Sequence, residues 1–355
     1  MPSIKDVAKL ANVSVGTVSK VLNNDPTVKP KNREKVLKAI KQLNYVPNIH
    51  AKSLSSGKTK MISIVSSTLG DEFHERLGSS IDQILSENGY DSIFFPLLSR
   101  ERLKRFSNPS HFLYQTDGLI VSSLSLTKMF EDKTLPTSKP YILVDTRDAL
   151  NDCVFIDNYY GGKLVGQNIK LYENSKVYIL GGYEPDEAFS SGVFSERIIG
   201  FIDELVNNRG FNKNNIVIME VGLSWKESYE FGKRFTPNQK HKFSIFALSD
   251  IIAFGFIEGM KTQGIKAPDN YSIIGYDDLS YSEDIGLSTV KQPIEELGKL
   301  SAELLLKKIN NKFEDKIHKS LMPKFIERNT IKKYLKLTYV SLGLQKKEEL
   351  AWKRI

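Results

Sequence analysis

The chain has 355 residues, 40% of them hydrophobic, enough for a large core and for two or three domains at about 150 residues each. Its net charge of +8 is uneven: residues 1–60 hold 12 Lys and Arg against 3 Asp and Glu, residues 331–355 hold 7 against 2, and the middle holds 31 against 37. One cysteine, Cys153, no secretory h-region and no run near the ~20 apolar residues of a membrane span exclude a disulfide scaffold and point to the cytosol, with no membrane partner.

A basic head on an acidic body is the charge layout of a protein that sets one end against phosphates. The head reads as helices. Ser3 caps the first, with Asp6 in the acidic position of a capping box, and Val7, Ala8 and Ala11 form a small packing face. Asn12-Val13-Ser14 breaks that helix, and Ser14 caps a second, in which Val18, Val21 and Leu22 share one side. Val15, Gly16, Thr17, Ser19 and Lys20 are left facing out, a surface of small and hydroxyl side chains with one cation that suits a DNA groove. A solvated helical hairpin is the plainer reading of the same pattern. After the turn Asn24-Asp25-Pro26, Pro30 opens a third helix whose face is Val36, Leu37, Ile40 and Leu43. Residues 48–57 are polar and too short for a stable helix alone, since isolated helices below ~12 residues are marginal.

From residue 61 short apolar runs alternate with helical stretches, the pattern of βαβ units and parallel sheets. Strands are expected at 61–67, 92–96, 118–122, 141–145, 153–156, 176–181, 215–219, 243–247 and 271–275. Helices are expected at 73–87, 159–172, 195–208, 224–235, 250–263 and 293–309. Two runs of such units imply two α/β lobes with a cleft between them.

Taken together these residues resemble the LacI/GalR family of bacterial transcriptional regulators over roughly residues 3–330. The signature is Ile4-Lys5-Asp6-Val7-Ala8, then Val13-Ser14-Val15-Gly16-Thr17-Val18-Ser19-Lys20-Val21-Leu22-Asn23, then Pro47-Asn48 and Ala51-Lys52-Ser53-Leu54. It continues in six downstream segments: Asp117–Val121, Val144-Asp145, Glu196–Phe201, Ser249-Asp250, Ile274–Asp278 and Val290–Ile294. The resemblance implies an all-α helix-turn-helix headpiece over 1–46, a hinge helix and linker over 47–60, and an α/β two-lobed core over 61–330, similar to periplasmic binding proteins. The first lobe would span about 61–159 and 293–320, the second about 160–290, and the tail 331–355 lies beyond the match. The core of such proteins dimerises, so that two headpieces read a palindromic double-stranded DNA operator and two hinge helices pair in the minor groove.

Carried over by position, Val15, Gly16 and Lys20 meet base edges, while Thr17, Ser19, Asn23, Thr27 and Lys29 contact the DNA backbone. Family members mostly carry Ala where Gly16 stands and Arg where Lys20 stands; lysine lacks the planar fork of arginine, which weakens discrimination of guanine. In the hinge, Asn48 starts the segment, Ala51 lets two hinge helices approach, and Leu54 is the wedge that unstacks a base step at the operator centre.

The effector site is expected beyond the C-terminal ends of the strands: Ser67, Ser122 and Asp145 from the first lobe, Arg197, Asp250 and Asp277 from the second, Gln292 at a crossover, and Phe73 or Trp225 as a stacking ring. Such a set suits a sugar. Asp250 also reads as a helix cap and Phe73 as core. The first loop departs from the family, with Gly70-Asp71-Glu72-Phe73-His74 in place of an Asn-Pro-Phe-Phe pattern, so a purine, nucleoside or phosphoprotein corepressor is the alternative effector. A periplasmic-type sugar-binding protein is the rival from another class, opposed by the basic head and the missing signal peptide. The five histidines (His50, His74, His111, His241, His318) are scattered, and there is no nucleophile elbow or phosphate loop, so neither catalysis nor a metal or cofactor is expected.

Overall fold

The N-terminal helices form where the capping chemistry requires. In the computed structural model, which describes residues 2–46, 58–68, 70–182, 186–237, 242–311 and 315–331, α1 (Ile4–Ala11) starts at a complete capping box: the Ser3 amide donates to Asp6 Oδ2 at 2.8 Å and the Asp6 amide to Ser3 Oγ at 3.4 Å. Ser14 caps α2 (Val15–Leu22) by accepting from the Thr17 amide at 3.2 Å. Pro30 sits in the first turn of α3 (Pro30–Leu43), where its missing N–H costs nothing. Val7, Ala8, Ala11, Val18, Val21, Val36 and Ala39 form the small core of this unit, with Val13 and Tyr45 packed against it. Leu37 is 53% exposed and Ala39 takes its expected place, because positions 36, 39, 40 and 43 follow the helical period and position 37 does not. The hinge residues Asn48, Ala51 and Leu54 and the tail beyond Ile331 lie outside the described residues.

The chain divides into this N-terminal unit, Met1–Met61 with Gln115–Asp117, and a larger one holding the rest. The larger unit is built on two sheets. The first has strand order β11-β5-β4-β3-β1-β2, with β1 Met61–Ser66, β2 Asp91–Pro96, β3 Gly118–Ser122, β4 Tyr141–Val144, β5 Cys153–Ile156 and β11 His318–Leu321. The second has β7-β6-β8-β9, with β6 Val177–Leu180, β7 Ile216–Met219, β8 Phe243–Ala247 and β9 Tyr271–Ile274, all parallel. A short antiparallel ribbon pairs β10 (Thr289–Lys291) with β12 (Lys324–Ile326).

The period of 2 along each strand divides the buried residues between the two faces of the sheet. Ile62, Ile64, Ile120, Ile142, Val144, Val154 and Ile156 face one core, shared with α4 (Glu72–Glu87) and α12 (Ile294–Ile309). Val65, Leu119, Val121, Leu143 and Phe155 face another, with α5 (Arg100–Phe106) and α6 (Leu126–Met129) on that side. The second sheet is covered likewise, by α7 (Asn158–Asn168) and α8 (Val193–Asp203) on one face and α9 (Trp225–Arg234) and α10 (Asp250–Lys261) on the other. Such two-sided burial is why the parallel strands read as continuous apolar runs. The short helices α5, α6 and α11 (Tyr281–Asp284) and the three-residue strands β10 and β12 fall below the length at which periodicity is visible, and the largely exposed β11, His-Lys-Ser-Leu, is not an apolar run. The expected helix 195–208 ends as an α-helix at Asp203 and continues as a wider turn over Glu204–Asn208.

After α12 packs on the first sheet and β11 extends it, β12 carries the chain back, so that Ile331 packs in the second sheet's core and the Thr330 hydroxyl donates to the Ile273 carbonyl at 2.7 Å.

Helices α7 and α8 meet backbone to backbone. A Cβ on Gly200 would lie 1.9 Å from the Tyr159 carbonyl oxygen, and one on Gly162 2.1 Å from that of Arg197. Gly200→Ala is therefore expected to destabilise the unit by about 1–3 kcal/mol or more, read as a lowered denaturation midpoint, because backbone on both sides has to move. This close seam brings Arg197 against the start of α7.

Candidate DNA-reading and effector-binding sites

In the N-terminal unit α2 presents Val15, Gly16 and Lys20 outward; the Lys20 side chain is 59% exposed, with its ammonium 3.8 Å from Asp25 Oδ2. A methyl group at Gly16 would meet only Ser14 Oγ at 3.8 Å, so the fold itself does not require glycine there. The two threonine hydroxyls are already engaged: Thr17 Oγ1 lies 3.0 Å from Ser14 Oγ, and Thr27 Oγ1 donates to Asp25 Oδ1 at 2.6 Å. Asn23 is the C-cap of α2 and Lys29 the N-cap residue of α3, its side chain making no capping bond. Arg33 ties the intervening turn by donating to the Asp25 carbonyl at 2.6 Å.

In the larger unit the expected effector residues separate into two groups. Arg197, Asp277 and Gln292 come together. The Arg197 guanidinium donates to Asn158 Oδ1 at 2.8 Å and to the Leu248 carbonyl at 2.6 Å, lies 3.5 Å from Asp277 Oδ1, and stacks 3.7 Å over the Tyr276 ring. Asp277 also accepts from Ser249 Oγ and from Gln292 Nε2, each at 2.6 Å. It sits at φ 123° and Asp278 at φ 58°, backbone that an L-residue adopts only when its surroundings hold it. Arg328 supplies that hold, donating to Asp278 Oδ1 at 2.7 Å and to the Leu287 carbonyl at 2.8 Å.

Asp145 and Ser122 follow β4 and end β3. Asp145 is 4% exposed, and its Oδ2 accepts from Ser123 Oγ at 2.9 Å. Its Oδ1, with Thr146 Oγ1 and Gln292 Oε1, is buried without a hydrogen-bond partner among the described residues. The charge of Arg197 is felt at Asp145, so the groups from the two sheets share one electrostatic environment. Ser67 donates to the Ser123 carbonyl at 3.4 Å. A cavity of about 410 Å3 lies beside this group, lined by Thr68, His74 and Ser122 together with Leu77, Gly78 and Phe94.

Three expected residues make contacts apart from these two groups. Asp250 is fully buried, and its carboxylate accepts from the Leu279 amide at 3.1 Å, Ser282 Oγ at 2.7 Å and Thr289 Oγ1 at 2.6 Å. It organises the 279–289 segment, and the N-cap position of its helix is held by Ser249. Phe73 packs against the first sheet's core, edge-on to His74. Trp225 stacks on Tyr229 at 4.8 Å, with Phe254 as its other ring neighbour.

The sequence reading missed His74, Ser123, Ser249, Asn158 and Arg328. The signal for His74 was its place in a loop that departs from the family. The others are polar residues at strand ends and helix starts, whose partners are distant in sequence.

Polar ties join the two halves around these groups. Glu72 accepts from the Ser280 amide and hydroxyl, both at 2.8 Å; Arg100 grips Asp186 with two bonds of 2.7 Å; Lys128 donates to Ser190 Oγ at 3.0 Å.

Burial pushes the carboxyls of Asp145, Asp250 and Asp277 upward, Asp277 to about 7 against the opposing pull of Arg197. An acid whose pKa is raised on folding binds its proton more tightly in the native state. Its contribution is full below the ordinary value near 4 and is lost as pH rises toward the folded value. Asp71 is held at about 2, where the His74 and Thr68 hydrogen bonds outweigh burial, and adds no slope in that window. The melting temperature is thus expected to fall between pH 5 and pH 7.5, and Asp277→Asn to flatten that fall in calorimetry.

The comparisons agree on the relatives. The family described as bacterial regulatory proteins, lacI family, matches residues 3–48, and the periplasmic binding protein-like domain matches residues 179–331. The HTH-type transcriptional repressor PurR of Vibrio parahaemolyticus serotype O3:K6 (strain RIMD 2210633) is 27% identical over 343 residues, covering 94% of this chain and 99% of that protein. Among solved structures, the Lac repressor dimer bound to operator and the anti-inducer ONPF is 21% identical, with a TM-score of 0.74 over 93% of this chain and 98% of that one. The complex of the transcriptional regulator CelR with cellobiose is 23% identical, with a TM-score of 0.61 over 93% and 100%. Among the described residues no helix is long and apolar enough to cross a membrane. A capped helix-turn-helix ahead of a two-sheet α/β unit, matched in that order along the chain, makes this protein a member of the lacI family of bacterial regulatory proteins, a DNA-binding transcriptional regulator.

Proposed function

We propose that the protein binds a palindromic operator as a homodimer, through headpieces of residues 1–46 and hinges of residues 47–60, and that a neutral sugar held in the core of residues 61–330 controls this binding. The observation that carries the effector reading is the buried set Arg197, Asp277, Gln292 and Asp145. It gathers donors and acceptors at strand ends, with free acceptor atoms on Asp145 and Gln292. Arg197, the cation of this set, already spends its guanidinium on Asn158, the Leu248 carbonyl and Asp277, which disfavours an anionic ligand and suits hydroxyl groups. A purine needs a free aromatic face to stack on, and neither Phe73, packed against the core, nor Tyr276, buried beneath Arg197, offers one.

A thermal-shift screen of the full chain against neutral sugars, nucleosides and purine bases, and sugar phosphates tests this. A neutral sugar is expected to raise the melting temperature; stabilisation by purines or sugar phosphates alone overturns the reading.

At the DNA, Lys20 supplies the only long cationic side chain among the three base-contact residues, Val15 and Gly16 offering methyl contact or close approach. Lys20→Ala is expected to weaken binding to an operator selected from random duplexes by about 10–100-fold, the ~1–3 kcal/mol of one base contact. Affinity for unrelated duplex falls less, because the backbone cations remain. Leu54, Ala51 and Asn48 complete the proposed reader from the hinge.

A further inference from the structure

Asp71, His74, Ser123 and Asp145 form an unbroken chain of hydrogen bonds that neither the family match nor the sequence reading assigns. His74 Nδ1 lies 2.8 and 2.9 Å from the two carboxylate oxygens of Asp71, its Nε2 lies 3.0 Å from Ser123 Oγ, and Ser123 Oγ lies 2.9 Å from Asp145 Oδ2. Asp71 also accepts from the His74 amide at 3.0 Å and from the Thr68 hydroxyl. An ionised carboxylate only accepts, so Nδ1 carries a proton.

The rest follows from counting hydrogens. Ser123 has one hydroxyl proton for its two close neighbours in this chain, His74 Nε2 and Asp145 Oδ2, while Ser122 Oγ lies further off at 3.4 Å. If it donates to Asp145, then Nε2 must donate to Ser123, which makes His74 an imidazolium beside an Asp145 carboxylate. If it donates to Nε2, then Asp145 Oδ2 must donate to Ser123, which makes His74 neutral beside a carboxylic acid. The two states interconvert without gain or loss of a proton. The Nε2–H bond breaks as the proton passes to Ser123 Oγ, while the serine proton leaves for Asp145 Oδ2. A neutral histidine beside an ionised Asp145 leaves one of the two bonds unmade.

We propose that His74, Ser123 and Asp145 share one proton, that this keeps the buried free oxygen of Asp145 a hydrogen-bond acceptor in either state, and that His74 thereby selects ligands presenting a hydroxyl or amine hydrogen at this point. The selectivity part rests on the effector site proposed above; the shared proton does not. Asp145 Oδ1 is buried and has no partner among the described residues, so a ligand atom that cannot donate would leave it desolvated and unpaired. The charged groups around the chain are Asp71 and Arg197, with Glu196 near Asp145; Arg197 favours the ionised form of Asp145, and burial favours the neutral one. His74 does not need to touch the ligand to act. It is a positioning residue working through Ser123.

Histidine-selective nitrogen-15 labelling of the full chain, with the His74 signals assigned by His74→Gln, tests the shared proton directly. At neutral pH the wild type is expected to show a protonated Nδ1 and an Nε2 shifted toward the protonated range. Asp145→Asn removes the acid that completes the count, and Ser123→Ala removes the bridge, so Nε2 in both variants is expected to move toward the bare, accepting nitrogen. Thermal melts establish that each variant is folded, and Asp132→Asn, an exposed carboxylate, serves as the charge control. An Nε2 signal unchanged in both folded variants, or a wild-type Nδ1 without its proton, overturns the proposal.

For a sugar that stabilises the chain in the screen above, O-methylation of one hydroxyl is expected to cost at least 10-fold in affinity in the wild type and much less in Asp145→Asn. No such hydroxyl overturns the selectivity. If no sugar binds, the effector reading fails, and the nitrogen signals still decide the shared proton.

Discussion

Arg197→Ala is expected to cost about 3–5 kcal/mol of stability and to abolish stabilisation by the effector. The side chain is 3% exposed and makes four contacts at once: a bond to Asn158, a bond to the Leu248 carbonyl, a charge pairing with Asp277 and a stack over Tyr276. Truncation leaves Asp277 buried without its cation, exposes the face of Tyr276 to an empty space, and frees the carbonyl that closes β8. Such losses are larger than the surplus any single surface ion pair supplies, which is typically ~0–1 kcal/mol. Arg197→Lys keeps the charge but not the planar fork that serves Asn158 and Leu248 together, so it is expected to recover only part of the loss. Denaturant midpoints for both variants, taken with and without the stabilising sugar, separate the two effects. An Arg197→Ala protein as stable as the wild type, and still responsive, contradicts the role given to this residue.

Asp250→Ala is expected to destabilise by a similar amount, about 3–5 kcal/mol, because it strands the Leu279 amide and the Ser282 and Thr289 hydroxyls as buried donors, at ~1–3 kcal/mol each before relaxation. Its effect on the effector differs from that of Arg197. Asp250 spends its carboxylate on the 279–289 segment, so effector affinity measured on the folded fraction is expected to change far less than stability. Asp250→Asn offers an amide in place of one acceptor oxygen and is expected to fall between alanine and the wild type. Equal loss of effector affinity and stability in Asp250→Ala places this carboxylate at the ligand instead.

These two residues show what could be read from the chain alone. Asp250 follows a strand of a parallel sheet and Arg197 lies in the first turns of a helix, but both lie in segments matching the family, so sequence assigned them the same role. Only the folded structure separates them. Arg197 is aimed at Asp277 across the strand ends, whereas Asp250 is turned back into a loop whose serine, threonine and amide lie 29 to 39 residues away. The strands and long helices were legible because each is an apolar run or a helical stripe of sufficient length. Strand β12 was not, since three residues show no period and its partner β10 lies over 30 residues earlier. Leu37 misled for the opposite reason: its composition fitted a core face, and its angular position on α3 did not. The proton-sharing chain was hidden because Ser123 adopts φ 53°, a backbone turn that nothing in Ser122-Ser123 announces.

The central claim is that a ligand in the core changes how tightly the head grips DNA. Titrating a labelled operator duplex with the full chain, in the absence and presence of the sugar that stabilises it, measures this directly. The account predicts a change in operator affinity of about 5–150-fold, the range of ordinary allosteric coupling, and its disappearance in a folded Asp277→Asn protein that no longer binds the sugar. Identical operator affinity with and without a saturating, stabilising sugar would contradict it.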